Sequence, residues 1–208
     1  MSWGTNPTNT AASSITAWTR QGVEIVGATL LDSRKLNAGC WQQRLDGYLN
    51  MDIYSRGPDD APEVVAVIRD MPFPDAYFEE VLMSHILEHI EHDDVVVALR
   101  EVYRVLQPGG VAKIIGPDYD RAERSFLAGE IDTDYRPLIW GHGNKVRDAT
   151  GLWETTYDGQ SSENHPGADH LWCSTEQETL ALVSQVFMSW ICVDSGDDRW
   201  EFAIEATK

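Results

Sequence analysis

Basic residues are scarce in this chain of 208 residues. Sixteen lysines and arginines stand against 34 aspartates and glutamates, which gives a formal net charge of −18. Proteins that bind nucleic acids or anionic membranes neutralise phosphates with clusters of lysine and arginine, so the sequence argues against both kinds of partner. Hydrophobic residues nevertheless make up 42% of the chain, and this composition excludes an intrinsically disordered protein.

Cysteine is also scarce. Cys40, Cys173 and Cys192 are odd in number and form no CxxC pair, so neither a disulfide framework nor a thiolate zinc site is expected. The first 14 residues have no cationic or apolar region, and no stretch approaches the roughly 20 apolar residues of a membrane helix. These features predict a cytoplasmic protein without a secretory leader, and the length predicts a single domain.

From residue 34 onward the sequence alternates short apolar runs with helical patterns. A first helix has apolar residues at helical spacing from Val95 to Leu106 and stops at Pro108-Gly109-Gly110, and a second is predicted over 175–186. The predicted strands cover 35–38, 48–53, 64–68, 78–83, 111–115, 189–193 and 202–206. Such alternation predicts the α/β class, with a Rossmann-like, doubly wound and mostly parallel seven-stranded sheet whose C-terminal strand is antiparallel.

The chain is predicted to consist of an N-terminal extension or cap over 1–33 and one domain over 34–208. Within that domain, residues 117–172 are irregular and rich in aspartate, glycine, histidine and aromatic residues. This segment is too long for a plain connection between two elements, so it is predicted to form a lid over the substrate.

The predicted strands end in residues suited to binding a nucleoside. In an open α/β sheet, ligands bind at the carboxyl ends of the strands. Gly39 after the first strand allows close approach of the backbone, Asp52 can accept hydrogen bonds from ribose hydroxyls, and Asp70 can accept from an exocyclic amine. No GxGxxG or GxxxxGK[ST] phosphate-binding motif is present. These residues predict a pocket for a nucleoside cofactor without phosphates.

Five short segments follow one another in order along the first half of the predicted domain. They are Leu36-Asn37-Ala38-Gly39-Cys40, Leu49-Asn50-Met51-Asp52-Ile53, Asp70-Met71-Pro72-Phe73-Pro74-Asp75, Ser84-His85-Ile86-Leu87-Glu88-His89 and Arg104-Val105-Leu106-Gln107-Pro108-Gly109-Gly110. In this order they resemble the motifs of the class I S-adenosylmethionine-dependent methyltransferases. The similarity covers roughly residues 34–120 and is greatest to the short branch related to methyltransferase type 11, with its LNxGCG, NVDI, DLPFPD, LEH and RVLKPGG motifs.

The resemblance implies an enzyme that uses S-adenosylmethionine as its methyl donor. Residues at matching positions are then expected to bind this cofactor: Asn37, Ala38, Gly39, Cys40, Trp41, Asp52, Ile53, Asp70, Met71, Ser84 and His85. Methyl transfer is a direct displacement that needs alignment and, for a weak nucleophile, a general base, but it requires no metal. His85 and His89 are the candidates for the base, and the polar side chains expected to reach the acceptor are Asp118, Tyr119, His142 and His170.

Two features leave other functions open. Trp41 stands where the family has another glycine. This difference leaves open that the chain is a non-catalytic relative of the methyltransferases that serves as a binding or partner protein. His85, Glu88 and His89 match the H-x-x-E-H pattern of zinc peptidases, which allows a zinc hydrolase. We therefore predict, ahead of these alternatives, a methyltransferase that acts on a small-molecule acceptor such as a sugar or another metabolite, as a monomer or a homodimer.

Overall fold

The computed structural model describes residues 18–19, 22–23, 33–53, 62–130, 144–147, 153–156, 170–172, 174–194 and 200–208. Predictions for other positions lie outside the described residues. These include the role of His142 and most of the extension at 1–33. No helix in the described part of the chain is long and apolar enough to cross a membrane.

Eleven strands and three α-helices are found in these residues. The strands are β1 Trp18–Thr19, β2 Gly22–Val23, β3 Lys35–Ala38, β4 Leu49–Asp52, β5 Val64–Val65, β6 Phe78–Ser84, β7 Leu106–Pro117, β8 Asn144–Arg147, β9 Trp153–Thr156, β10 Ser189–Val193 and β11 Glu201–Thr207. The helices are α1 His92–Val105, α2 Tyr119–Leu127 and α3 Glu176–Val183, and a short 3-10 helix covers Leu87–His89.

Seven of the strands form one sheet in the order β10-β11-β7-β6-β3-β4-β5. Strands β3 to β7 pair with one another in parallel, while β11 is antiparallel to both β7 and β10. The strand order reverses between β3 and β6, because the chain moves outward to β5 and then returns to the other side of β3. The predicted doubly wound sheet with an antiparallel C-terminal strand is therefore confirmed.

Two strand predictions differ from the structure. The run predicted over 64–68 forms a strand only at Val64–Val65, and a turn follows at 68–69. The Pro-Gly-Gly segment predicted to separate α1 from the next strand is part of β7, which starts directly after the helix. Gly109 has a φ of +79° there, and its backbone N–H donates to the Lys208 carbonyl, so the C-terminus extends the pairing.

The core is built from the apolar face of α1 packed on the central strands. The helix buries Val95, Leu99 and Val102, the spacing that places residues on one helical face. Strands β3 and β4 consist largely of buried residues, as expected for strands covered on both faces, and β6 buries Phe78, Val81 and Met83. Thr175 is the N-cap of helix α3, and its hydroxyl accepts a hydrogen bond from the Glu178 N–H at 3.1 Å.

The segment predicted to be an irregular lid contains regular structure. Helix α2 covers Tyr119–Leu127, and β8 and β9 form an antiparallel pair. Asp118 caps α2 by accepting a hydrogen bond from the Arg121 N–H at 3.2 Å. The prediction of an irregular segment is wrong for these residues, and its role as a lid stays a prediction.

Candidate functional site

A cavity of about 550 Å³ lies at the carboxyl ends of β3, β4 and β6. Parallel strands bring these ends to one edge of the sheet, which is where ligands bind in open α/β folds. Its volume lies within the range of roughly 300–1,000 Å³ that small-molecule sites have. The residues that line it are Asn37, Gly39, Cys40, Trp41, Gln43, Leu45, Met51, Asp52, Ile53, Ala66, Ile68, Leu82, Ser84, His85, Ile86, His89 and Ile90.

The loop after β3 is held in place by two buried asparagines. The Asn37 side-chain amide donates to the Asn50 Oδ1 atom and to the Gln43 carbonyl, both at 2.9 Å. Asn50 Oδ1 also accepts from the Leu45 N–H at 2.9 Å. Buried polar groups satisfied in this way make the loop rigid. Asn37 thus lines the cavity and also supports its wall, a structural role that the predicted cofactor contact did not include.

Gly39 is fixed as a glycine by its surroundings. Its φ is +72°, and a Cβ atom at this position would lie 1.9 Å from the Ile86 Cδ1 atom. The left-handed backbone and the close approach of Ile86 both exclude a larger side chain without rearrangement. The loop after β3 therefore packs directly against the segment that follows β6, and together they close one side of the cavity.

Trp41 takes the backbone conformation of a glycine. Its φ is +46°, a left-handed value that costs a non-glycine residue about 1–2 kcal/mol. The Trp41 N–H donates to the Asp52 Oδ2 atom at 2.7 Å, which ties this turn to the end of β4. The loop thus keeps a glycine-like backbone despite the indole, and Asp52 stands at the cavity with one carboxylate oxygen engaged by the loop.

His85 lies between two carboxylates. Its Nε2 atom is 2.7 Å from Glu201 Oε1, and its Nδ1 atom is 3.2 Å from Glu88 Oε1. The contact with Glu88 is the largest influence and outweighs the burial that opposes it, and with the added charge of Glu201 it raises the pKa of His85 to about 9. An imidazole with this pKa is protonated at neutral pH, so this arrangement does not favour the predicted role of His85 as a base.

His89 also lines the cavity and contacts another predicted residue. The rings of His89 and His170 pack edge to face with their centroids 4.8 Å apart. The Tyr119 hydroxyl hydrogen-bonds to the His170 Nδ1 atom. Three residues predicted from separate stretches of sequence are thus brought together. Tyr119 and His170 do not contribute to the cavity lining, and Asp118 serves as the cap of α2.

Three predicted cofactor residues are not part of the cavity lining. Ala38 and Met71 are fully buried, and Asp70 is exposed in the turn after β5. The Met71 N–H donates to Glu101 on α1 at 2.8 Å, so the turn is anchored to the helix. Their contact with the cofactor stays a prediction.

Other residues at the site were missed in the sequence. Gln43 and Leu45 follow the glycine loop, and apolar side chains from β4, β6 and the segments after β5 and β6 complete the wall. These are Met51, Ala66, Ile68, Leu82, Ile86 and Ile90. Their positions next to strand ends were the available signal. Glu201 was also missed, because its contact with His85 joins residues 116 positions apart.

Part of the chain is similar in sequence to known methyltransferases. The sequence model of the methyltransferase domain family matches residues 42–114. The ubiquinone/menaquinone biosynthesis C-methyltransferase UbiE of Bordetella avium (strain 197N) is 40% identical over 110 residues, which are 53% of this chain and 40% of that protein. The Burkholderia multivorans (strain ATCC 17616 / 249) protein of the same name is 27% identical over 128 residues, 62% of this chain and 50% of that one. The chain spans half or less of the length of these two relatives.

Solved structures share the fold. A possible histamine N-methyltransferase from Thermotoga maritima, described as S-adenosylmethionine-dependent, has a TM-score of 0.54 and 16% identity, covering 84% of this chain and 82% of that one. A protein from Pyrococcus horikoshii OT3 has a TM-score of 0.53 and 15% identity, covering 84% and 81%. These likenesses confirm the fold. The family match supports the resemblance to a methyltransferase domain over residues 42–114.

Proposed function

We propose that this chain, whose residues 42–114 match the sequence model of the methyltransferase domain family, transfers a methyl group from S-adenosylmethionine to a small-molecule acceptor. The observation that carries the proposal is the cavity at the carboxyl ends of β3, β4 and β6, with Asp52 at its wall. The cofactor supplies a methyl group on a sulfonium, which the acceptor displaces directly. The protein is left with the tasks of binding and alignment.

The residues of the cavity suit this cofactor. Asp52 can accept from ribose hydroxyls with the carboxylate oxygen that does not engage the Trp41 N–H. Ile53, Ala66 and Ile68 provide the apolar surface against which a nucleobase packs. Ser84 and His85 stand at the end of β6, where the resemblance places the methionine part. Both ring nitrogens of His85 face protein carboxylates, so a protonated His85 would not take a proton from the acceptor.

The acceptor is proposed to be a neutral or cationic small molecule. The net charge of −18 makes anionic macromolecules poor partners. The curated relatives carry names that refer to C-methylation in quinone biosynthesis, so quinols belong beside sugars and other metabolites in a screen. Formation of S-adenosylhomocysteine in the presence of each candidate would identify the class.

Calorimetry with S-adenosylmethionine and S-adenosylhomocysteine tests the proposal. Binding is expected, and Asp52→Ala should weaken it by about 1–3 kcal/mol, or roughly 5- to 150-fold in Kd, the usual loss for hydrogen bonds to a charged group. Asp52→Asn keeps an oxygen for the Trp41 N–H and separates loss of charge from loss of the loop contact.

Asp46→Ala is the matched control, because Asp46 is an exposed aspartate of the same loop that does not line the cavity. It should bind as the unmodified chain does. If the chain does not bind the cofactor at millimolar concentration, the proposal that it is a methyltransferase is wrong. The non-catalytic alternative that Trp41 suggests would then be favoured. Equal affinity in the Asp52 variants would refute the ribose assignment alone.

A further inference from the structure

Glu88 is a buried carboxylate whose hydrogen-bonding capacity is not used. Its side chain is 1% exposed, and neither oxygen accepts a hydrogen bond of good geometry from the described residues. Its Oε1 atom lies 3.2 Å from His85 Nδ1, so the two groups form an ion pair without a well-aligned hydrogen bond. A buried carboxylate with unused hydrogen-bonding capacity can take a further partner, such as a cation.

Two imidazoles stand beside this carboxylate. One potential ligand atom from each of Glu88, His89 and His170 lies within 4.8 Å of the other two. Zinc ligands lie about 2.0–2.2 Å from the ion, so a tetrahedral site has its ligand atoms roughly 3.3 Å apart. Small side-chain rotations would bring the three atoms to that separation.

The backbone around the three side chains is fixed. The Leu171 N–H donates to the Glu88 carbonyl at 2.7 Å, and the Trp172 indole N–H donates to the Leu87 carbonyl at 2.7 Å. These contacts attach the segment that carries His170 to the 3-10 helix that carries Glu88 and His89. The hydroxyl of Tyr119, a fully buried residue, hydrogen-bonds to His170 Nδ1, so the ring would ligate through Nε2. Metal-ligating histidines commonly hold a second partner in this way.

We propose that Glu88, His89 and His170 bind a divalent transition-metal ion, with Zn²⁺ favoured, in the wall of the cavity that His89 lines. Two imidazoles and one carboxylate are a set that zinc accepts while keeping a position for a further ligand. Magnesium and calcium prefer oxygen ligands and would bind weakly here. The site differs from the H-x-x-E-H pattern, because His85 turns to Glu201 and Glu88 acts as a ligand. It does not depend on the chain being a methyltransferase.

Metal binding by the untagged chain tests the proposal. After removal of metals with a chelator, titration with ZnCl₂ should show one site per chain, and MgCl₂ should not compete. Co²⁺ in place of Zn²⁺ should give the visible absorption of a four-coordinate site with nitrogen ligands. His170→Ala and Glu88→Gln should each weaken zinc binding at least tenfold, while His92→Ala, a histidine of α1 that pairs with Glu178, should leave it unchanged.

Each outcome decides the matter. No stoichiometric zinc, equal binding of Mg²⁺, or unchanged affinity in His170→Ala would overturn the site and leave Glu88 as a buried counter-ion of His85. If a variant fails to fold, as judged by circular dichroism, the cobalt spectrum of the unmodified chain decides. Calorimetry with S-adenosylhomocysteine on the chelator-treated chain distinguishes the two proposals, because cofactor binding tests the methyltransferase and zinc binding tests this site.

Discussion

At the scale of single residues, the site contains backbone that most side chains avoid. Trp41 and His85 both have positive φ, at +46° and +55°, and both line the cavity. Strained residues of this kind persist where the surrounding structure holds them, and they gather at functional sites. Trp41 is held by the Asp52 carboxylate, and His85 by two carboxylates and by its N–H, which donates to the Ile115 carbonyl at 2.9 Å.

The strain at Trp41 can be measured by comparing two small replacements. Trp41→Gly and Trp41→Ala both remove the indole, so their difference reflects the backbone. Because φ is +46°, the glycine variant should be more stable than the alanine variant by about 1 kcal/mol in free energy of unfolding, measured by urea denaturation.

The same pair of replacements at Gln42 provides the control. Gln42 is exposed in the same loop and does not have a positive φ. The alanine variant at Gln42 should be at least as stable as the glycine variant, because glycine loses more conformational freedom on folding. An alanine variant at Trp41 as stable as the glycine variant would show that the loop does not hold the left-handed conformation in solution.

At the scale of elements, helix α1 positions the turn after β5 through the guanidinium of Arg104 and its two ion pairs, with Glu101 and Asp75. Arg104 donates to both oxygens of Glu101, to the Met71 and Phe73 carbonyls, and to the Asp75 carboxylate, at 2.6–3.0 Å. Glu101 in turn accepts from the Met71 N–H at 2.8 Å. The contacts with Glu101 and Asp75 hold the pKa of Arg104 above its usual value. The motif Asp70 to Asp75 thus has a structural function besides the predicted contact of Asp70 and Met71 with the cofactor.

Removal of this guanidinium should loosen the turn. Arg104→Ala leaves the nearly buried Glu101 without its main partner, so the free energy of unfolding should fall by about 2–4 kcal/mol. Arg100→Ala, at an exposed position of the same helix, should change it by less than about 0.5 kcal/mol. Chemical denaturation of both variants gives the comparison. A small effect of Arg104→Ala would mean that the turn is held by its buried apolar residues alone.

The sequence predicted elements whose pattern is local. The strands at 35–38 and 189–193 match their predicted bounds. Helix α1 covers His92–Val105, which begins three residues before and ends one residue before the apolar run predicted from Val95 to Leu106. Short apolar runs and one apolar helical face are patterns that the local sequence shows. The start of β7 was missed because Pro108-Gly109-Gly110 is typical of a turn, whereas pairing with the C-terminus near Lys208 keeps it in the sheet. Here tertiary contacts override the preference of the local sequence for a turn.

The candidate site was predictable where it depends on strand ends and not where it depends on distant contacts. Gly39, Asp52 and His85 follow parallel strands, so the topology alone brings them to one edge. The approach of His170 to Glu88 brings together residues 82 positions apart, with Tyr119 of α2 hydrogen-bonded to His170. No spacing in the sequence encodes such an approach, and only the folded chain reveals it.

At the scale of the whole molecule, the charge of −18 acts on stability. Even if each of the 16 lysines and arginines were paired with a carboxylate, 18 of the 34 acidic residues would remain without a basic partner. Surface pairs such as Arg69 with Asp94 contribute little on their own. Folding brings the excess carboxylates closer together, so their mutual repulsion destabilises the compact state.

Salt should therefore stabilise this protein. The Debye length falls from about 30 Å at 0.01 M to about 8 Å at 0.15 M, which screens long-range repulsion more than contacts at hydrogen-bond distance. We expect Tm to rise by about 2–4 °C over this range, equivalent to about 1 kcal/mol for a chain of this size. Choline chloride with a chelator should act as NaCl does, because screening needs no bound metal. A Tm that stays constant or falls would mean that the ion pairs outweigh the net repulsion.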